Sequence, residues 1–268
     1  NGAFLITNSI VLPETETRAL VLGTVRDTLE LSINGLLAAS FGSYLGLPDL
    51  FNTDNGRSGI GHFGLMDGAA IFAYNGLFPP EPSAWEKLYL GWVIPITVAT
   101  GSRTVTIPAV GLTTTGSDSI YKVPVNDQEY FLIENRDRDP GRNGQVLTLL
   151  KNGSLVTRHF GKDTAGFYFS DLRSISGSLI DVEDFDWAIS GDMNQAGFEG
   201  GGVLIWHIDE SKISSNIATN TVNADPDHRG VDLEEADGSD AIGQQYDLLE
   251  PGIGTENGWP LASWLQGN

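Results

Sequence analysis

The spacing of the apolar residues changes near residue 92, and this change limits the fold more than any other feature of the sequence. Before it, apolar side chains over 28–44 recur at steps of three and four residues, which predicts a buried helix ending at a left-handed Gly46. A second helix is predicted over 82–90, with Pro82 in its first turn. Beyond residue 92 the pattern alternates, and we predict β-strands over 93–99, 104–110, 119–124, 129–134, 145–150 and 202–208.

The predicted fold class is therefore α+β, with a helical first third followed by an antiparallel β-rich region. The change of spacing predicts a boundary near residue 95, between one domain over 1–95 and a second over 96–268. Asn152-Gly153 lies between two apolar runs and is the sharpest hairpin signal in the chain.

Acidic residues far outnumber basic ones. The 268 residues include 35 Asp and Glu but 15 Lys and Arg, which leaves a net charge of −20. This field repels phosphate backbones and anionic membranes and attracts divalent cations and basic partners, so we expect no binding to nucleic acid. The longest uncharged stretch, 31–48, contains too many Gly, Ser and Asn residues to span a bilayer, so we expect no membrane insertion.

The sequence contains no cysteine. Disulfides, thiolate zinc sites, iron–sulfur clusters and cysteine nucleophiles are thereby excluded together. The first six residues lack an initiator methionine and have neither the basic start nor the apolar run of a signal peptide. We therefore expect the chain to be processed or to belong to a longer polypeptide. The remainder of that polypeptide, or another protein, is the candidate partner.

Two neighbouring segments form the most specific motif of the sequence. They are Leu-Gly-Leu-Pro-Asp-Leu-Phe over 45–51 and Gly-Ile-Gly-His-Phe-Gly-Leu-Met over 59–66. Together they resemble the secreted metallopeptidases of the immune inhibitor A type, a zincin family in which a His-Glu-x-x-His helix runs into Gly-Leu-Pro-Asp. Further matching segments follow the family order, at 13–14, 84–92, 129–136, 202–209 and 231–238. The resemblance is weakest over about 144–200, which we interpret as an insertion relative to the family pattern.

The resemblance implies that residues 1–95 are the remnant of a zincin-like catalytic domain. Its zinc helix would place the first histidine at Ala39, the glutamate at Ser40 and the second histidine at Ser43. Alanine has no donor atom, and a serine hydroxyl is a poor zinc ligand compared with imidazole or carboxylate. Asp49 remains at the position of a third ligand, and Met66 would lie beneath the metal. We therefore predict that the protein binds no zinc and is catalytically inactive.

Clustered carboxylates predict a calcium site, because calcium prefers hard oxygen ligands in irregular loops. One candidate set follows the helix and comprises Asp49, Asn52 and Asp54. Another lies within the matching segment 231–238 and comprises Asp232, Glu234 and Asp237. A third acidic group lies over 181–186. In the alternative interpretation, Asn and Asp side chains cap their own turns and the other carboxylates face water.

The four histidines offer no replacement for the missing zinc ligands. We predict a hydrogen-bonded turn position for His62 and a structural hydrogen bond for His207. His159 and His228 are predicted to lie at the surface. Serine-nucleophile catalysis lacks a Gly-x-Ser-x-Gly elbow, whereas a paired-carboxylate glycosidase is compatible with the many acids and the six tryptophans.

The sequence thus predicts a secreted or cell-surface protein that is a catalytically inactive homologue of a zinc metallopeptidase. Its expected role is that of a binding or structural module stabilised by calcium. The alternative is a metallopeptidase with an unorthodox zinc site, or one whose zinc site was deliberately inactivated.

Overall fold

The structure is a computed structural model of the chain. It describes residues 16–22, 25–68, 71, 76–98, 101–102, 104–112, 120–141, 143–160, 178–182, 185–189 and 201–245, with 16–31 and 178 described by their backbone alone. The matching segment at 13–14, the carboxylates at 183–184 and much of the segment at about 144–200 lie outside these ranges.

Ten strands and three α-helices are present in the described ranges. The strands are β1 (Glu16–Leu22), β2 (Val25–Leu31), β3 (Ile96–Thr97), β4 (Ile120–Pro124), β5 (Glu129–Arg136), β6 (Gln145–Lys151), β7 (Ser154–Phe160), β8 (Ser178–Val182), β9 (Gly202–Asp209) and β10 (Val231–Leu233). The helices are α1 (Asn34–Leu45), α2 (Ala84–Tyr89) and α3 (Glu210–Asn216), with 3-10 turns at Gly61–Phe63, Val110–Leu112 and Ile217–Thr219. The chain is therefore α+β, as predicted.

The main sheet has five strands in the order β10-β9-β5-β4-β3. Its pairs are antiparallel except for the short β3–β4 pair, which is parallel. Along β5 and β9 every second residue is buried, because strand side chains alternate between the two faces of a sheet. Leu132, Leu204 and Trp206 thus form the core side of the sheet.

A second sheet, in the order β7-β6-β8, is built from the segment between β5 and β9. Those two strands are direct neighbours, and Arg136 at the end of β5 pairs with Gly202 at the start of β9. The chain between them leaves the main sheet and returns to it. The predicted hairpin is confirmed between β6 and β7, where Asn152 and Gly153 have φ of 52° and 77°, as a two-residue type I′ turn requires.

Helix α1 differs from its prediction in two ways. It begins at Asn34, because 28–31 pair with β1 in an antiparallel hairpin. It is not buried on its bulky apolar side, since Leu37, Phe41 and Tyr44 are 47%, 50% and 52% exposed. The helix packs through its small residues instead: a Cβ added to Gly42 would lie 2.9 Å from Met66 Sδ. Glycine brings the helix backbone close to its neighbour, and the large side chains consequently face away.

Two further predictions need correction. Pro82 precedes α2 instead of lying in its first turn, because Ser83 is the N-cap and forms a reciprocal capping box with Glu86. The strand predicted over 104–110 is not formed. This segment lies beside β5 through a single bridge between Ala109 and Asn135 and a hydrogen bond from Asn135 Nδ2 to the Ile107 carbonyl, too few contacts for a ladder.

The main hydrophobic core crosses residue 95. It joins apolar side chains from the first part of the chain with the inner face of the main sheet, and its members include Leu50, Ile60, Phe63, Trp85, Ile120, Leu132, Leu204, Trp206 and Ile208. The loop over 47–67 and helix α2 are thus packed against β5 and β9. No helix in the described ranges is long and apolar enough to cross a membrane.

Candidate functional site

The end of α1 has the geometry predicted for it. Gly46 has φ of 106° and donates its N–H to the Ser43 carbonyl at 3.0 Å, while Leu47 donates to the Gly42 carbonyl at 3.1 Å. This pair of bonds is a Schellman motif, which satisfies carbonyls that the helix end would leave free. Leu47 is buried immediately after it, so the chain turns inward there.

The three positions predicted for the zinc motif lie on α1 without any metal-binding group. Ala39 packs against the hydrophobic core, and Ser40 is partly buried. Ser43 is exposed, and its Oγ donates to the Ala39 carbonyl at 3.3 Å, the usual bond from a helical serine to the preceding turn. The Ser43 hydroxyl is therefore engaged in a hydrogen bond within the helix.

Asp49 is bound by a residue that lies far along the chain. Its backbone N–H donates to Asn220 Oδ1 at 2.8 Å, and its Oδ2 accepts from Asn220 Nδ2 at 2.7 Å. Asn220 follows the 3-10 turn after α3 and has φ of 57°, a backbone conformation that asparagine tolerates. Asp49 is thus bonded to Asn220 and not to the turn that follows it, while calcium binding at Asp49 stays a prediction.

Two buried carboxylates hold the glycine-rich segment in place. Glu86 Oε2 accepts from the N–H of Leu65 at 3.1 Å, and its Oε1 accepts from the N–H of Met66 at 2.7 Å. Asp67 Oδ2 accepts from the N–H of Gly59 at 2.8 Å and from that of Ile60 at 3.0 Å. Burial raises the pKa of Glu86, although its hydrogen bonds act in the opposite direction. Met66 is thereby fixed against Gly42 of α1, in the core.

Of the two candidates beside Asp49, Asn52 bonds its own turn and the carbonyl of a residue far along the chain. Asn52 Oδ1 accepts from the N–H of Asp54 at 3.0 Å, and its Nδ2 donates to the Ala224 carbonyl at 2.6 Å. The Asp54 side chain is exposed. Asn52 therefore caps its own turn, as the alternative interpretation predicts.

The three carboxylates of the second candidate calcium set do not share a partner. Asp232 Oδ1 accepts from Arg229 at 2.6 Å, and Asp237 Oδ1 accepts from the N–H and Oγ of Ser239 at 2.9 and 2.8 Å. Glu234 is exposed and, in the described part of the chain, its carboxylate forms no hydrogen bond or salt bridge. No group of three or more His, Asp or Glu side chains among the described residues is arranged to hold a metal ion.

Of the acidic group over 181–186, Asp181 is exposed on β8 and Asp186 belongs to a buried ion-pair network. Arg136 donates to both oxygens of Asp186, at 2.5 and 2.8 Å, and also donates to the Phe63 carbonyl. Nearby, Lys87 Nζ lies 3.5 Å from Glu134 Oε2. This network ties α2 and the 61–63 turn to β5.

Sequence reasoning missed this network, although one signal for it was present. Glu134 and Arg136 alternate with the apolar residues of β5 in the same phase as Leu132, so they fall on the core side. Glu134 Oε1 accepts from Trp206 Nε1 at 3.0 Å and from the N–H of Ala84 at 3.2 Å. The network is structural, since these atoms are bound to one another and to the backbone.

His62, His159 and His228 take the positions predicted for them, whereas His207 contacts a carboxylate at a distance longer than a hydrogen bond. His62 lies in the 3-10 turn within the motif segment 59–66, and its Nε2 is 3.1 Å from the Ala188 carbonyl, while His159 is exposed on β7. His207 Nε2 lies 3.6 Å from Glu129 Oε2. His228 is 57% exposed in its side chain, and its Nε2 lies 2.9 Å from Asp209 Oδ2.

Asp209, His228 and Ser211 do not form a catalytic triad. Ser211 Oγ donates to the Asp209 carboxylate at 2.5 Å, so the hydroxyl faces the acid and not the imidazole that would serve as its base. Asp209 is the N-cap of α3 and also accepts from the N–H groups of Ser211 and Lys212. The arrangement caps a helix.

Acid is expected to weaken this cap. Burial raises the pKa of Asp209, but hydrogen bonds from Ser211, Lys212 and His228 outweigh it and lower the pKa from 3.8 to about 2. A lowered folded-state pKa adds stability above the unfolded-state pKa, and that stability is lost as the pH falls through the folded-state value. The loss of unfolding free energy in Asp209→Ala, about 1 kcal/mol at pH 7, should therefore shrink between pH 4 and pH 2 in urea titrations. A constant difference across that range would contradict the assignment.

Comparisons with protein-family models, curated proteins and solved structures found no match to this chain.

Proposed function

We propose that the protein is a catalytically inactive homologue of the secreted zinc metallopeptidases of the immune inhibitor A type. The observation that carries the proposal is the chemistry of α1, where Ala39, Ser40 and Ser43 stand at the positions of the two zinc-binding histidines and the general base. Ser43 Oγ is bonded to the helix backbone, and Asp49 is paired with Asn220. A single carboxylate so engaged is a poor basis for a catalytic zinc site.

The framework around these positions supports a homologue that has lost its ligands. α1 ends in a Schellman motif at Gly46, and Met66 packs closely against Gly42. The buried carboxylates of Glu86 and Asp67 accept hydrogen bonds from the backbone of the motif segment 59–66. These are interactions that position a helix and a loop relative to each other, and they need no metal.

We propose an extracellular or cell-surface binding or structural role for this scaffold, with another protein or the remainder of a longer polypeptide as partner. The exposed apolar side of α1 supports the binding part of this proposal. Phe41 and Tyr44 stack with their ring centroids 6.0 Å apart, and Leu37 and Leu45 flank them with 47% and 40% exposure. Contiguous exposed apolar side chains are typical of interaction surfaces.

Purified protein is expected to contain no stoichiometric zinc and to leave casein uncleaved. Metal analysis and a protease assay with and without chelator measure both properties. The triple variant Ala39→His, Ser40→Glu and Ser43→His places two imidazoles one helical turn apart and should acquire zinc; Ser40→Glu alone is its matched control and should not. Tight zinc in the wild type together with chelator-sensitive proteolysis would favour the alternative, a metallopeptidase with an unorthodox site.

We also propose that calcium stabilises the fold. Its support is the net charge of −20 and the crowding of carboxylates over 232–240, which bound cations would relieve. At a calcium concentration of a hundred times its dissociation constant, mass action adds about 2.7 kcal/mol to the unfolding free energy. Thermal melts should therefore shift upward in calcium relative to EDTA. An equal shift produced by sodium chloride of matched ionic strength would point to screening and contradict a specific site.

A further inference from the structure

A cleft of about 330 Å³ lies on the face of the main sheet opposite the hydrophobic core. Its lining is almost entirely apolar, with one carboxylate, and consists of Val123, Phe131, Ile133, Ile205 and Glu234. Phe131, Ile133 and Ile205 alternate along β5 and β9 with the buried residues of the inner face, and Val123 of β4 is paired with Phe131. Each of the four is partly exposed, so the cleft is accessible from solvent.

The strand register brings these five residues into one continuous surface. Val123 pairs with Phe131 across β4 and β5, and Ile133 pairs with Ile205 across β5 and β9. Phe131 and Ile133 are two residues apart and therefore share a face. Glu234 is joined to the same row, because its backbone N–H donates to the Ile205 carbonyl at 2.9 Å. The carboxylate thus stands at one end of an apolar surface that extends over two strand spacings, about 10 Å.

The dimensions of the cleft fit a small molecule. Ligand pockets have volumes of about 300–1,000 Å³, so this cleft lies at the lower end of that range. A stable protein–protein interface needs roughly 20 residues on each side, whereas five residues line this cleft. A compact ligand therefore matches the surface better than a folded partner does.

The electrostatics of the cleft favour a cation. Glu234 has neither a hydrogen bond nor a salt bridge in the described part of the chain, and the nearby carboxylates Asp232 and Asp240 add to its negative field. Partial burial and these two neighbours raise the pKa of Glu234, with His207 acting in the opposite direction. His207 itself lies next to Glu129. A positive group placed beside Glu234 would pair with a carboxylate that has no hydrogen bond or salt bridge among the described residues.

We propose that this cleft binds a small hydrophobic ammonium ion. The apolar body of the ligand would lie on Phe131, Ile133 and Ile205, and its cationic nitrogen would lie beside the Glu234 carboxylate. This site is separate from α1 and does not depend on the proposed loss of metallopeptidase activity.

The test compares probes with a six-carbon chain, and methylammonium as a control without that chain, on the full protein in EDTA, so that no divalent cation competes. Calorimetric titration with n-hexylammonium should show saturable binding of one ligand per chain, about fivefold tighter than n-hexanol, as expected for one partly exposed ion pair. n-Hexanoate should bind more weakly than either, because its carboxylate is repelled by Glu234. Methylammonium should also bind more weakly than either, because it has no apolar body to lie on Phe131, Ile133 and Ile205. Amide chemical shifts should change on β4, β5 and β9.

Substitutions in and near the cleft distinguish specific binding at this site from a general attraction of cations to an acidic protein. Glu234→Gln should reduce the affinity for n-hexylammonium to that for n-hexanol. Glu129→Gln, which removes a charge from the same face of the sheet, should change the affinity by less than about twofold. Ile133→Thr keeps a β-branched strand residue and should weaken n-hexylammonium and n-hexanol alike, by about threefold.

Three results would overturn the proposal. They are equal affinities for n-hexylammonium and n-hexanol, an unchanged ammonium preference in Glu234→Gln, and the absence of saturable binding by the wild type. Circular dichroism of each variant shows whether it is folded, and Glu234→Gln changes an exposed side chain, so it tests the charge without disturbing the core.

Discussion

Arg136→Met is expected to lower the unfolding free energy by about 3–5 kcal/mol, the usual cost of removing one partner from a buried ion pair. Arg136 is fully buried and donates to both oxygens of Asp186. Methionine would fill much of the same space but would leave the buried Asp186 carboxylate without its cationic partner and the Phe63 carbonyl without its Arg136 donor. Since a domain of this kind is stable by about 5–15 kcal/mol in total, the variant should melt far earlier or fail to accumulate.

Urea titration followed by circular dichroism measures this change, with two controls. Arg158→Met makes the same substitution at an exposed position of β7 and should cost less than about 0.5 kcal/mol. Adding Asp186→Leu to Arg136→Met removes the uncompensated acid and should recover part of the lost stability. If Arg136→Met costs no more than Arg158→Met, the buried network is not a stabilising feature of the fold.

Glu86→Ala is expected to cost about 3 kcal/mol or more, because three buried N–H groups would lose their acceptor and each such loss costs about 1–3 kcal/mol. The donors are the backbone groups of Ser83, Leu65 and Met66. The variant should also weaken the packing of Met66 against Gly42, because Glu86 accepts hydrogen bonds from the backbone of the motif segment at Leu65 and Met66.

Glu86→Gln provides the graded comparison for this prediction. Its carbonyl oxygen can replace Oε2 and accept from Ser83 and Leu65, whereas its NH₂ group would face the N–H of Met66. The order of stability should therefore be wild type, then Gln, then Ala. Hydrogen exchange at Met66 reports the local effect, and equal stability of the Gln and Ala variants would argue against the acceptor role.

The strands were predictable because their signals are local. Alternation of apolar residues predicts β4, β5, β6 and β9 to within two residues, and Asn152-Gly153 predicts the β6–β7 hairpin. The same holds for the end of α1, where glycine is suited to the left-handed conformation at Gly46. In each case the information lies within a few neighbouring residues.

The start and the orientation of α1 were not predictable in this way. Apolar periodicity extends back to residue 28, but pairing with β1 outweighs helix formation over 28–31. Periodicity also assigns Leu37 and Tyr44 to the buried side, whereas the helix packs through Gly42. Which side of a helix is buried depends on the surface it meets, and a glycine side permits a closer approach than a leucine side does.

The sequence by itself determined which chemistry is present on α1: no imidazole or carboxylate stands at positions 39, 40 and 43, whatever the fold. It also determined the strands and turns whose signals span a few residues. Only the tertiary structure decided the partners of the charged groups, as with Asp49 and Asn220, which are 171 residues apart, and Arg136 and Asp186, which are 50 apart. Such pairs depend on strand order and register, and these are selected by the burial of the whole core rather than by the residues around either partner.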